Sequence, residues 1–239
     1  MAKISRERWK VFGDVFDEFT ERILFKMASQ GYFEELESPI KIGKEANVFS
    51  ARTAEGGLVA VKIYRLEAAD FKKMYQYITS DSRYYDVRHS RRQIIFTWVQ
   101  REYRNLLKAR EAGVRVPMPI AINHHVLLME HIGEGSAAPQ LKDAVPSRPD
   151  QFFKAVVKYM RLLYQRGRLV HSDLSAFNIL NLHDAPVFID LSQGITTDSY
   201  ASKEFLERDI RNVGSYFSRL DVAVDEAALF KEITSSTSE

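Results

Sequence analysis

Residues 171–178 read His-Ser-Asp-Leu-Ser-Ala-Phe-Asn, and the apolar Pro-Val-Phe-Ile of 186–189 is followed by Asp-Leu-Ser-Gln at 190–193. This pair of segments constrains the chain more than any other. An irregular loop separates Asp173 from Asn178, long enough for one side chain to face an acceptor while the other turns back. The apolar run before Asp190 is short enough for a buried strand, so its carboxylate is expected to emerge at a strand end.

That layout matches a phosphotransferase catalytic loop and its metal site. Transfer of a γ-phosphoryl group needs a carboxylate to orient the attacking hydroxyl and take its proton, a role that falls to Asp173. It also needs oxygen ligands for Mg²⁺ bridging the phosphates, which fall to Asn178 and Asp190. A His-x-Asp-x-x-x-x-Asn match arises by chance in roughly one chain in a hundred of this length, so the surrounding segments must decide.

They occur in the order a kinase requires. Val59-Ala-Val-Lys-Ile-Tyr64 is an apolar strand with one lysine, Lys62, the candidate for the α- and β-phosphates. An edge-strand lysine that discourages aggregation would look the same. Ahead of it, Ile42-Gly-Lys-Glu-Ala-Asn-Val-Phe49 stands where a phosphate-covering turn belongs, with Gly43 and Lys44 at its start. The apolar spacing at 95, 98, 99, 103, 106 and 107 predicts a helix over Ile94–Ala109, and its one acid, Glu102, is the expected partner of Lys62. The alternative is an exposed glutamate paired with a base one turn away. Val126–Gly133 reads as a buried strand running into a connector, with Met129 bordering an adenine pocket and the backbone of Glu130 and Ile132 reading the base.

Seven ordered segments together resemble the RIO family of atypical serine protein kinases: Gly43–Val48, Val61–Arg65, Arg101–Leu106, Leu128–Gly133, Val170–Leu180, Ile189–Gln193 and Phe205–Val213. Ser175, where ordinary protein kinases carry lysine, and Leu-Ser-Gln after Asp190 in place of Phe-Gly also resemble the RIO pattern. The resemblance implies a two-lobed protein-kinase-like fold of the α+β class, with a mostly β small lobe at 40–132 and a mostly α, truncated large lobe at 133–239. It implies ATP with Mg²⁺, or Mn²⁺ in its place, a transient aspartyl-phosphate on Asp190, and a role in maturing the small ribosomal subunit. A pre-ribosomal particle and its RNA are then the expected partners. Only 42 residues precede Gly43, too few for a winged-helix domain, so the first-named branch of the family is expected. A flexible loop at about 79–93 is also implied, with Ser80, Ser82 and Ser90 as autophosphorylation candidates.

Several readings stay open beside this one. Aminoglycoside- and choline-type kinases share the catalytic loop, though not the Gly43–Val48 turn or the Arg208-Asp-Ile-Arg-Asn-Val213 segment. An ATP-gated pre-ribosome binding factor would use the same site with little transfer activity, which suits the 49 residues that follow Asp190. Phe12, Phe16, Phe19 and Ile23 share a helical face, so residues 1–39 are expected to form one or two helices capping the small lobe. Asp209 is expected either to support the catalytic loop or to sit on the surface beside Arg208 or Arg211.

Net charge is only +2, but Arg83–Arg110 carries eight Lys/Arg against two acids, a local net of +6. Tyr84, Tyr85, Phe96 and Trp98 lie among these charges, a combination that either contacts RNA or forms a solvated helix face over core aromatics. The absence of cysteine excludes disulfides and thiol chemistry. No run approaches the roughly 20 apolar residues of a membrane span, and the charged N-terminus lacks the core of a secretion signal. A cytoplasmic protein with no membrane partner is expected.

Overall fold

The computed structural model describes residues 16–67, 71–79, 83–84 and 90–235. The chain enters through α1 (Glu18–Ser29), capped by Asp17, whose carboxylate accepts from the Thr20 N–H at 2.7 Å, with Glu18 and Glu21 in the first turn. Five strands follow: β1 (Glu35–Ile42), β2 (Ala46–Arg52), β3 (Leu58–Tyr64), β4 (Pro119–Asn123) and β5 (Val126–Glu130). They form one antiparallel sheet in the order β1-β2-β3-β5-β4. Two helices lie between β3 and β4: α2 (Phe71–Thr79) and α3 (Arg91–Glu111). α3 starts at the Ser90 cap, whose hydroxyl accepts from the Gln93 N–H at 3.3 Å.

The second half is helical, with short hairpins. α4 (Pro149–Gln165) leads to β6 (Leu169–Val170), then to the hairpin β7 (Ile179–Leu182) and β8 (Ala185–Phe188). A short helical turn at Leu191–Gln193 and β9 (Ile195–Thr196), paired with β6, lead into α5 (Ser202–Ser218) and α6 (Glu226–Thr234). This α+β arrangement agrees with the expected class. Two apolar cores match its two halves. One joins Ile23, Leu24 and Met27 of α1 to Phe49, Val61 and Leu128 of the sheet. The other runs from Ile95 and Trp98 of α3 through Phe152, Phe188, Ile210 and Phe217.

The reading of residues 1–39 needs correction. Ile23, Leu24 and Met27 of α1 pack against the sheet, but β1 begins at Glu35 and pairs with β2. It is an edge strand with register shifts around Pro39 and mostly exposed side chains, so it carries no clear period of two. Phe16 precedes the cap and meets Phe49 edge-on at 5.3 Å, while Phe12 lies outside the described residues.

Two of the aromatic residues and one arginine of the basic stretch are internal. Arg101 is fully buried, as are Trp98 and, nearly so, Tyr84; Arg91, Arg92 and Arg104 remain exposed. Those three lie over the rings of Phe71, Phe19 and Tyr84 respectively. Tyr84 and Trp98 therefore offer no stacking platform to RNA, and Tyr85 lies outside the described residues. Among the described residues no helix is long and apolar enough to cross a membrane.

One buried histidine gives a pH dependence to stability. His125 Nε2 lies 2.9 Å from Thr20 Oγ1 and its ring stacks on Phe19, joining α1 to the sheet. Burial, aided by His124 and Arg92 against Asp17, lowers it from 6.5 to about 4. Below pH 6.5 the unfolded chain takes up a proton that the folded chain refuses until about pH 4. Stability is thus expected to fall by about 3 kcal/mol as pH drops across that window. Urea unfolding from pH 4.5 to 7 checks this; an unchanged pH slope in His125→Gln would contradict it.

Candidate active site

Alternation along β3 puts Lys62 and Tyr64 on one face. Lys62 sits in the middle of the sheet, opposite Val48 on one side and Leu127 on the other, which removes the edge-strand alternative. Its Nζ donates to Glu102 Oε1 at 2.7 Å and to Asp190 Oδ1 at 3.0 Å. Tyr64 donates its hydroxyl to Glu102 Oε2, so both oxygens of this buried carboxylate are occupied. Nothing in the sequence marks Tyr64 for this role except its two-residue offset from Lys62 on the same strand.

The charges of this cluster depend on one another. Burial raises Glu102, only partly offset by Lys62. Burial alone would lower Lys62, but Asp190 and Glu102 outweigh it and hold the ammonium well above its usual value. Burial would raise Asp190, yet Lys62 and the Ser192 hydroxyl, 2.8 Å from Oδ1, hold it at about 2. Asp190 also adopts φ 63°, the left-handed region rare for a residue with a side chain. Its Oδ1 accepts from both Lys62 and Ser192, while no hydrogen bond to Oδ2 occurs among the described residues.

Asp173 and Asn178 lie together in the catalytic loop. Asn178 Nδ2 donates to the Asp173 carbonyl at 2.8 Å and to Asp173 Oδ2 at 3.1 Å. A second amide, from Gln193, reaches the same Oδ2 at 3.2 Å. The loop is held from below by Asp209 on α5, which is buried and accepts the Ser172 N–H at 2.8 Å and the Leu174 N–H at 2.9 Å. This settles its two readings in favour of loop support. Both of its oxygens accept, the geometry of a carboxylate, although burial pushes it up to about 7 against those two bonds and Arg208. Arg208 donates to the Ser172 carbonyl, and Ser172 sits at φ 67°, so acid and base together hold a strained residue next to Asp173. Asp209→Ala would bury two unpaired N–H groups at about 1–3 kcal/mol each. A loss of about 2–5 kcal/mol in urea unfolding is expected, with a smaller loss in Asp209→Asn; an unchanged midpoint in Asp209→Ala would contradict this.

Between the sheet and the helical half lies a cavity of about 550 Å³, a size that suits a nucleotide. Gly43, Lys44, Lys62, Glu102, Met129, Glu130, Ile132 and Asp190 all line it. A Cβ on Gly43 would stand 2.7 Å from the Ala46 carbonyl oxygen, so the turn over the cavity closes only with glycine there. The Glu130 side chain pairs with Arg115 at 2.6 Å and its N–H donates to the Met118 carbonyl at 2.8 Å. Any contact from Glu130 to an adenine edge therefore falls to its carbonyl. Among the described residues no three His, Cys, Asp or Glu side chains could hold a metal by themselves. Asp190 lines the cavity and Asn178 lies outside its lining, with its amide on Asp173; an Asn and an Asp are oxygen ligands of the kind Mg²⁺ takes, few from protein and the rest from phosphate and water.

A lysine–glutamate pair under an antiparallel sheet, facing an Asp–Asn loop and a second Asp across a cleft, defines the protein-kinase-like class. The comparisons with known proteins narrow it. The RIO domain matches residues 47–229. RIO-type serine/threonine-protein kinase Rio1 of Haloferax volcanii is 39% identical over 235 residues, covering 98% of this chain and 80% of that protein. The Methanocaldococcus jannaschii Rio1 is 39% identical over 229 residues, covering 95% and 78%. Human serine/threonine-protein kinase RIO1 is 39% identical over 218 residues, which cover 88% of this chain but 38% of that protein. The solved Rio2 kinase of Chaetomium thermophilum has the same fold, with a TM-score of 0.70 at 20% identity, covering 92% of this chain and 69% of that one. The chain belongs to the RIO family of serine/threonine-protein kinases, and its curated relatives are of the Rio1 type.

Proposed function

We propose that the chain transfers the γ-phosphoryl group of ATP to a serine hydroxyl, and hydrolyses ATP, during maturation of the small ribosomal subunit. The observation that carries the reading is Lys62 bridging Glu102 and Asp190 at the wall of the cavity, with the Asp173–Asn178 pair in the adjoining loop. Asp173 orients the acceptor hydroxyl and takes its proton, with Oδ2 fixed by two amides. Lys62, positioned by Glu102, meets the α- and β-phosphates, and the backbone around Gly43 and Lys44 covers them. Met129 borders adenine, and the Glu130 carbonyl and Ile132 backbone read it. Asn178 and Asp190 would hold Mg²⁺, which supplies charge neutralisation on the phosphates.

Asp190 is also the proposed acceptor of a transient phosphoryl group. Its Oδ2 would attack γ-phosphorus and ADP would leave, followed by hydrolysis of the acyl phosphate. Support comes from the low pKa of Asp190, which keeps it anionic, and from the Chaetomium Rio2 kinase solved as an ADP/Mg²⁺-phosphoaspartate complex. Residues 191–201 alone link Asp190 to α5, which favours a second reading: ATP-gated binding to a pre-ribosomal particle, with peptide transfer incidental. The exposed Arg91, Arg92 and Arg104 are the candidates for its RNA backbone.

Incubation with labelled ATP and, separately, a serine peptide, choline and an amino sugar tests the acceptor class. Label on serine is expected; label on choline or the amino sugar would contradict the reading. Co-sedimentation with small ribosomal subunits under ATP and under ADP tests the partner, with nucleotide-independent or absent binding as the contrary result.

A further inference from the structure

We propose that Gln193 is a positioning residue for Asp173, holding the carboxylate in the orientation that transfer to serine needs. The proposal rests on Asp173 being the group that orients the acceptor. Gln193 is over nine-tenths buried, and its Nε2 lies 3.2 Å from Asp173 Oδ2, the oxygen that Asn178 Nδ2 also reaches at 3.1 Å. Two amides from separate segments fix that oxygen from two directions. Together they limit rotation of the carboxylate about its last torsion, which is broad for Asp.

The turn that carries Gln193 is itself fixed to α3, the helix of Glu102. Arg101, with no exposed surface, donates through Nε and Nη2 to the Gly194 carbonyl at 3.1 and 2.9 Å and through Nη2 to that of Gln193 at 3.4 Å. Its Nη1 reaches the Tyr77 carbonyl of α2 at 2.5 Å. Asn105, equally buried, donates to the Leu191 and Gly194 carbonyls, each at 2.9 Å. A fully buried guanidinium and amide are costly unless satisfied, and these are satisfied by the carbonyls of this turn together with the Tyr77 carbonyl and, at Asn105 Oδ1, the Arg83 guanidinium at 3.1 Å. Residues 101, 102 and 105 of one helix thus tie together Lys62 and the turn that orients Asp173. The Gln193 side chain links this turn to the Asp173 carboxylate.

The test is a double-mutant cycle in the full chain, with Gln193→Met, which keeps the length and removes the donor, Asp173→Ala, and the pair. Single-turnover transfer from labelled Mg²⁺-ATP to a serine-containing protein is read with ADP affinity and thermal midpoint. Gln193→Met is expected to lower the transfer rate about tenfold, since small misorientation of a reacting group is costly, with ADP affinity and midpoint unchanged. In the Asp173→Ala background it should change the rate less than twofold. An unchanged rate in Gln193→Met while Asp173→Ala abolishes transfer would overturn the proposal, as would an equal loss in both backgrounds. If Asp173→Ala itself transfers normally, the role of Asp173 fails and the proposal with it, and that outcome is distinct from the other two. A fall in midpoint shared by Gln193→Ala and Gln193→Met would overturn it in favour of a packing role.

Discussion

Lys62→Met is expected to lower phosphoryl transfer by about 10²–10³-fold, as removal of one preorganised charged donor does, and to destabilise the fold by about 3–5 kcal/mol. Both effects come from the same contacts. The ammonium lies 2.7 Å from Glu102 and 3.0 Å from Asp190, and the Lys62 and Glu102 side chains are 7% and 1% exposed. Without it, Glu102 keeps only the Tyr64 hydroxyl and must either remain as an unpaired buried anion or take up a proton. Glu102 is already raised by burial, so protonation is the favoured outcome, and the variant should lose less stability at pH 5 than at pH 8. Lys62→Arg keeps the charge but replaces a compact ammonium by a planar fork, and should recover stability only in part and activity hardly at all. Urea unfolding of the variants beside single-turnover transfer decides; wild-type stability in Lys62→Met would mean that the ion pair is not formed.

The second large effect is expected at Asp173. Asp173→Asn keeps the volume and leaves the Ser172 and Leu174 N–H bonds to Asp209 in place, so the thermal midpoint should stay within a few degrees of wild type. Transfer to serine should fall by about 10²–10⁴-fold, the usual contribution of a positioned general base. ADP affinity should not change, because Asp173 is absent from the residues lining the nucleotide cavity. A loss of nucleotide affinity equal to the loss of rate would place Asp173 in binding instead.

Much of this site was legible because local pattern and order survive in the chain. Lys62 stands alone among apolar residues, and a loop that separates an acid from an amide is recognisable by its letters. What escaped the sequence depends on which polar groups a helix buries. The apolar spacing in α3 pointed to Tyr103 and Leu107, which are half-exposed, whereas Arg101 and Asn105 are fully buried through hydrogen bonds to a turn some ninety residues away. Such contacts have no period. Gln193 was visible within its motif, yet nothing local indicated that its side chain turns back to Asp173. β1 escaped for a different reason, as an irregular edge strand carries little amphipathic pattern.

The most direct test of the central claim is incubation of the purified protein with γ-labelled ATP and Mg²⁺, comparing wild type with Asp190→Asn and Asp173→Asn and treating the labelled protein with hydroxylamine. The account predicts two kinds of label: a hydroxylamine-labile fraction lost in Asp190→Asn, and a stable fraction on serine lost in Asp173→Asn. No label and no phosphate release from the wild type, or label equally strong in both variants, would contradict it.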